Sequence, residues 1–216
     1  MKNERYLITQ SLLSAWLYQF NCAEGYEETA REEFLKMLRR EPFEQNEIML
    51  RGISFENAVQ EMLRGDDQPA YEHCEIYAKR SKEKEFKCIV EMAKIMKGGT
   101  YQLTAYKEKV IAGESFLLMA KCDWVKAGVV YDCKRVQEYA AVGKYLESVQ
   151  HPMYLEVLST ATEFKYEICD GEDIYEERYT RLDIPQSIDV TIANFTKSLK
   201  DEGLWETYTT LWKSKY

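Results

Sequence analysis

The spacing of hydrophobic and polar positions changes several times along the chain, and each change marks an element. Leu12, Leu13, Trp16, Leu17 and Phe20 recur at helical spacing behind a Thr or Ser cap, which predicts a helix over residues 9–20. Phe34, Met37 and Leu38 predict a second over 26–39, ending before Pro42. Phe55, Ala58, Val59, Met62 and Leu63 form the buried stripe of a third over 51–65, capped by Ser54 and stopped by Gly65. From 69 to 97 the pattern stays helical but is highly charged, and Gly98-Gly99 ends it. The period then drops to two. Residues 101–110 alternate as a strand, 111–114 turn it, and the runs 116–126 and 129–136 flank Ala127-Gly128 as an antiparallel hairpin. A long helix is predicted over 138–161, and a further hairpin from 163–168 and 175–182 around 170–173. Ile188, Ile192, Phe195 and Leu199 open a helical C-terminus with a break near Gly203.

The hairpin around Ala127-Gly128 carries the candidate chemistry. With those two residues as the loop, Lys126 faces Val129, Trp124 faces Tyr131, Asp123 faces Asp132 and Lys121 faces Lys134. Opposed side chains have Cβ atoms about 4.5–5.5 Å apart, so two carboxylates are driven together unless a cation lies between them. Period-two alternation puts Lys134 on the face of Asp132, and Ala120, Cys122, Trp124, Tyr131 and Cys133 on the other, as core. Two carboxylates from adjacent strands suit Mg²⁺ or Mn²⁺, with open positions left for a phosphate oxygen and an attacking water. Phosphodiester hydrolysis fits this arrangement. A surface hairpin with scattered charges is the bland alternative.

Length and composition narrow the field. The 216 residues, 45% hydrophobic, suffice for one domain with a substantial core: a core over about 50–182, a helical N-terminal region over 1–49 and C-terminal helices over 187–214. A net charge of −8 argues against coating nucleic acid by bulk electrostatics, so DNA contact requires a local patch. Six cysteines (22, 74, 88, 122, 133, 169) show no C-x-x-C spacing, which removes the usual support for zinc or iron–sulfur sites and favours reduced thiols. No 18-residue apolar run occurs, and the N-terminal one is broken by Gln10 and Ser14; the expectation is a cytoplasmic protein with no membrane association. No P-loop and no Ser or Cys nucleophile constellation appears, and His73 and His151 are the only histidines.

Other features have two readings each. Glu56, in row with Val59 and Leu63, either turns outward or points at something positive such as a metal. Arg39-Arg40 is a solvated helix end or a phosphate contact, and the charge run at 79–85 is a solvated face or a DNA-backbone contact. Trp205, Tyr208, Trp212 and Tyr216 pack on the core or a neighbouring subunit, or stack on unpaired bases.

Taken in order, the helix acid Glu56, Asp123, Asp132-Cys133-Lys134 and Gln150-His151-Pro152-Met153-Tyr154 resemble the PD-(D/E)XK nuclease superfamily, in its RecB-like branch of lambda-exonuclease-like phage enzymes. The resemblance runs from about residue 9 to 182 and lies in the ordered set, each motif being short. It departs at the lead-in Ala120-Lys121-Cys122, at Pro152 inside the Q-x-x-x-Y motif, which leaves open whether Gln150 and Tyr154 share a helix face, and in lacking the four-cysteine cluster of iron–sulfur members.

The resemblance implies an α/β (α+β) chain with a restriction-endonuclease-like core, a central mixed sheet of about five strands flanked by helices, and helical additions at both ends. It implies that Glu56, Asp123, Asp132 and the carbonyl of Cys133 hold one or two Mg²⁺ ions, with Mn²⁺ able to substitute and no iron–sulfur cluster. Lys134 would orient the water, and Gln150 and Tyr154 would fix the scissile phosphate or terminal nucleotide. The function implied is a metal-dependent DNA exonuclease of phage or prophage recombination or end processing, acting on DNA as a homo-oligomer and with a single-strand annealing protein. The alternative is a nuclease-fold protein that binds DNA ends or a partner without cleaving.

Overall fold

The computed structural model describes residues 4–65 and 82–214. The expectations placed on His73, Cys74, residues 79–81 and Tyr216 therefore lie outside the described residues. A short strand, β1 (Tyr6–Thr9), runs directly into α1 (Gln10–Asn21), because Thr9 is extended and its hydroxyl accepts the Leu12 N–H. Next come α2 (Glu27–Leu38) and α3 (Glu47–Leu63). The third helix begins about one turn before the expected start, since Asn46 and not Ser54 caps it, accepting from the Met49 N–H at 3.0 Å. The remaining elements are α4 (Lys82–Met96), β2 (Thr100–Ile111), β3 (Glu114–Lys126), β4 (Val129–Arg135), α5 (Gln150–Val157), β5 (Glu163–Cys169), β6 (Ile174–Thr180), α6 (Ile188–Asp201) and α7 (Trp205–Leu211).

The strands form one mixed six-stranded sheet built on β3. β2 and β3 are antiparallel over their length and joined by Ala112-Gly113; β3 and β4 are joined by Ala127-Gly128. Both loops have positive φ at both positions (52° and 82°, 50° and 80°), the backbone whose twist matches that of the strands it connects. β4 pairs with β5 in parallel, β5 with β6 antiparallel, and β1 with β3 in parallel. Since β2 occupies one edge of β3, β1 and β4 share the other, at Phe116 to Met119 and at Trp124 to Lys126. Residues 120–123 lie between them with no strand partner on that edge among the described residues.

Helices cover both faces of the sheet. On one, Leu12, Phe116, Leu118, Ala120, Cys122, Val130, Phe164, Tyr166, Ile192 and Phe195 form a buried cluster with α1, α5 and α6. On the other, Phe55, Val59, Ile89, Met92, Trp124 and Cys169 pack α3 and α4 down. Tyr131 and Cys133 join this second cluster. Ala120 and Cys122 thus lie on the opposite face from Trp124, contrary to strict alternation, because β3 turns over at Asp123. At the C-terminus Tyr208 and Trp212 are buried, and Trp212 Nε1 donates to the Leu38 carbonyl at 2.8 Å, so these aromatics pack on the core.

The helix expected over 138–161 is confined to α5. The segment before it is held as turns by a distant carboxylate: Glu177 on β6 accepts from Lys144 N at 3.0 Å, from Tyr145 N at 3.1 Å, and from the Tyr139 and Tyr179 hydroxyls. Backbone N–H groups bound to Glu177 are not available to a helical ladder. One further buried network joins the second layer to the sheet. Arg51 of α3 and Arg135 at the end of β4 both donate to Oε1 of Glu85 on α4.

Candidate active site

The candidate residues come from four elements and meet where β3 and β4 part. The β3–β4 ladder runs from Lys126↔Val129 to Trp124↔Tyr131, as the hairpin register predicts, and stops one rung short of the acids. Asp123 and Asp132 are therefore not a ladder pair. In place of a ladder bond, Asp123 Oδ2 accepts the N–H of Cys133 at 3.0 Å, so the side chain of one strand closes the backbone of the other. Residues 120–123 leave another open group, the Lys121 carbonyl, which accepts the Tyr154 hydroxyl at 2.7 Å.

Asp132 turns to the α5 face. It is 3% exposed, its Oδ1 accepts the side-chain amide of Gln150, and its Oδ2 meets Lys134 Nζ at 2.6 Å. Burial by itself would lower the Lys134 pKa; the charge and hydrogen bond of Asp132 outweigh it, and Lys134 is held above the ordinary lysine value. Lys134 Nζ also lies 5.9 Å from the ring centre of Tyr166.

Pro152 does not separate Gln150 from Tyr154. α5 begins at Gln150, which puts the proline in the first turn, where its missing N–H would have no intrahelical partner. Both residues point into the gap, one to Asp132 and the other to Lys121.

Glu56 approaches from α3, half-buried. Its Oε1 accepts from Gln102 Nε2 at 3.4 Å, and Gln102 Nε2 also donates to the Tyr101 hydroxyl at 3.0 Å. The electrostatics tie the acids together. The Asp123 carboxyl is pushed well above the usual carboxylate range, first by burial, then by the charges of Asp132 and Glu56, against the Cys133 N–H and Lys134, which pull it down. Burial, with the same three carboxylates behind it, also pushes the Cys133 thiol up. The Cys122 thiol rises to about 12 through burial and the charges of Asp123 and Asp132.

All the sequence-predicted side chains are thus neighbours, but they do not converge as ligands. Among the described residues no group of three or more His, Cys, Asp or Glu side chains is placed to hold a metal ion. Asp132 is engaged by Gln150 and Lys134, and Asp123 by Cys133. Tyr101 and Gln102 are site neighbours that the periodicity did not single out. One signal was present: with Ala112-Gly113 as a two-residue loop, counting outward sets Gln102 opposite Asp123.

No helix among the described residues is long and apolar enough to cross a membrane. No protein-family model matches the chain, and no curated protein matches it by sequence. Solved structures do match in fold. The chain is similar to a putative exonuclease from Eubacterium rectale, at 13% identity over 92% of this chain and 82% of that one, with a TM-score of 0.56. It is also similar to SSO0001, at 12% identity over 94% of this chain and 79% of that one, with a TM-score of 0.51. At these identities the likeness is one of fold, and the mixed sheet with helices on both faces is a restriction-endonuclease-like core.

Proposed function

We propose that the chain is a metal-dependent deoxyribonuclease that hydrolyses phosphodiester bonds at DNA ends. The observation that carries this reading is the assembly of Glu56, Asp123, Asp132 and Lys134, from three separate elements, at the gap between β3 and β4. The donor types are those a hard divalent cation takes, carboxylate oxygens and one backbone carbonyl. Binding would draw the carboxylates from their present partners Gln150, Lys134 and Cys133, and would favour a buried acid whose ionised form is opposed by burial and by its acidic neighbours. A bound cation relieves both effects. Glu56, Asp123, Asp132 and the Cys133 carbonyl would hold Mg²⁺, or Mn²⁺ in its place. Bound there, it would supply Lewis-acid stabilisation of the phosphate and acidify the attacking water.

The chain's own groups do the rest. Lys134, kept charged by Asp132, donates to the attacking water and fixes its approach. Gln150 and Tyr154 set the position of Asp132 and of the β3 backbone, so the acids keep their spacing as the phosphate enters. The name of the similarly folded Eubacterium rectale protein supports an exonuclease. The motif order supports the RecB-like branch, with phage recombination or end processing as the setting and a homo-oligomer working beside an annealing protein.

Incubating the purified chain with linear duplex DNA tests this reading. Mg²⁺ or Mn²⁺ is expected to bring progressive degradation, and Asp132→Ala to abolish it in a folded protein. Binding of DNA ends by the wild type without cleavage under either metal would replace it with a non-cleaving end-binding role.

A further inference from the structure

Taking the nuclease reading as its basis, the inference concerns the β2–β3 hairpin at the rung that holds Asp123. Register along the hairpin is constant on both sides of that rung, with Tyr101↔Trp124 before it and Leu103↔Cys122 after it, but Gln102 and Asp123 themselves do not pair. Gln102 has φ 49°, a conformation that residues with a Cβ disfavour. Both strands turn over there. Trp124 and Tyr101 belong to the α3 and α4 layer, whereas Cys122 and Ala105 belong to the opposite one. Alternation alone would keep 101 with 105 and 122 with 124. No residue is inserted in either strand, so the reversal comes from backbone conformation and not from an extra residue.

The Gln102 side chain leads to the same place. Its carboxamide donates to Glu56 Oε1 at 3.4 Å and to the Tyr101 hydroxyl at 3.0 Å. Tyr101 packs 4.9 Å from Trp124 between ring centres, which anchors the group to the α3 and α4 layer. One residue thus bears on two of the three acids: it stands across the unpaired rung from Asp123, where both strands turn over, and it hydrogen-bonds Glu56.

We propose that Gln102 is a positioning residue for the cation site, turning the hairpin over so that Asp123 enters the β3–β4 gap and holding the Glu56 carboxylate beside it. A left-handed backbone at a side-chain-bearing residue persists only where its surroundings enforce it, and such positions gather at sites that need a fixed geometry. The two functions separate by substitution. Gln102→Gly accepts positive φ freely and lacks the carboxamide. Gln102→Asn also tolerates the left-handed region, and its amide is one methylene too short to reach Glu56.

The test is Mn²⁺ binding by isothermal titration calorimetry on the whole chain without DNA, together with melting temperature and cleavage of linear duplex DNA. Gln102→Gly is expected to bind Mn²⁺ roughly tenfold more weakly, the scale set by loss of an outer-shell partner, with a melting temperature equal to or above wild type. Gln102→Asn is expected to follow it. Variants that bind within twofold of wild type overturn the inference and leave the nuclease reading intact. Weaker binding accompanied by a lower melting temperature in both variants also overturns it, since the residue would then be structural. A wild type that neither binds Mn²⁺ nor cuts DNA removes the nuclease reading itself.

Discussion

Gln150 at the start of α5 donates its side-chain amide to Oδ1 of Asp132 on β4, so a helix that follows the strand in the chain holds the strand's acid in place. Asp132 is buried, and loss of the amide leaves a buried acceptor unsatisfied. Gln150→Ala is expected to lose about 1–3 kcal/mol, seen in thermal denaturation as roughly 2–4 °C per kcal/mol for a chain of this size. Metal-dependent cleavage should fall with it, and a melting curve matching wild type would show that the bond contributes nothing.

Lys134 is expected to act on the water and not on the cation. Lys134→Ala should lower the cleavage rate by at least about 100-fold, the usual scale for a positioned proton-handling group, while calorimetric Mn²⁺ binding stays within a few-fold of wild type. Parallel loss of binding and cleavage would instead make it part of the cation site.

Asp123 gives a pH dependence whose sign follows from its raised pKa. A carboxyl that binds its proton more tightly folded than unfolded contributes stability below its unfolded pKa of about 3.9, and that contribution is lost as pH rises through the folded value. Asp123→Asn, which keeps an oxygen for the Cys133 N–H, should melt above wild type at pH 8 without metal, and the difference should shrink towards pH 4. Mn²⁺ should restore wild type and not the variant. A variant that melts below wild type throughout the range would contradict this.

Glu167 carries the same sign away from the site. It is 1% exposed on β5, and burial, then the charge of Glu176 across the β5–β6 ladder, raise its carboxyl to about 7. Stability should therefore decline as pH rises through about 7. Glu167→Gln should remove that part of the decline, visible in melting temperatures at pH 5.5 and 8.5.

Glu85 joins Arg51 to Arg135 in the buried interior. Glu85→Ala leaves two guanidinium groups without that carboxylate and is expected to cost about 3–5 kcal/mol. Because Arg51 shares α3 with Glu56 and Arg135 follows Lys134, cleavage should fall too. Chemical denaturation gives the stability, and an unchanged midpoint would contradict the estimate.

Much of this was legible where local rules decide the outcome. Ala112-Gly113 and Ala127-Gly128 set both hairpins, and the register that follows from the second loop is the observed one up to Trp124↔Tyr131. The rest depended on partners far along the chain. Glu177 unwinds the expected helix from more than thirty residues away, and periodicity contains no trace of it. Periodicity predicts no strand ahead of the helix over 9–20, yet Tyr6 to Thr9 pair with Phe116 to Met119. The reversal of faces at Asp123 coincides with a positive φ at Gln102 across the hairpin, a residue type that gives no warning of it. The candidate acids were legible as types in order; their engagement by Gln150, Lys134 and Cys133 needed the third dimension.

β3 borrows two different neighbours along a single edge, β1 near its start and β4 near its end. The opening between them is framed by two strand ends, so its width depends on where each neighbour stops. Lengthening β1 by a residue or two would begin to seal it, and ending the β3–β4 ladder before Trp124↔Tyr131 would widen it, while the β2 edge keeps β3 in place throughout. Aperture and scaffold can thus be altered separately, so the opening can change size without a rebuilding of the sheet.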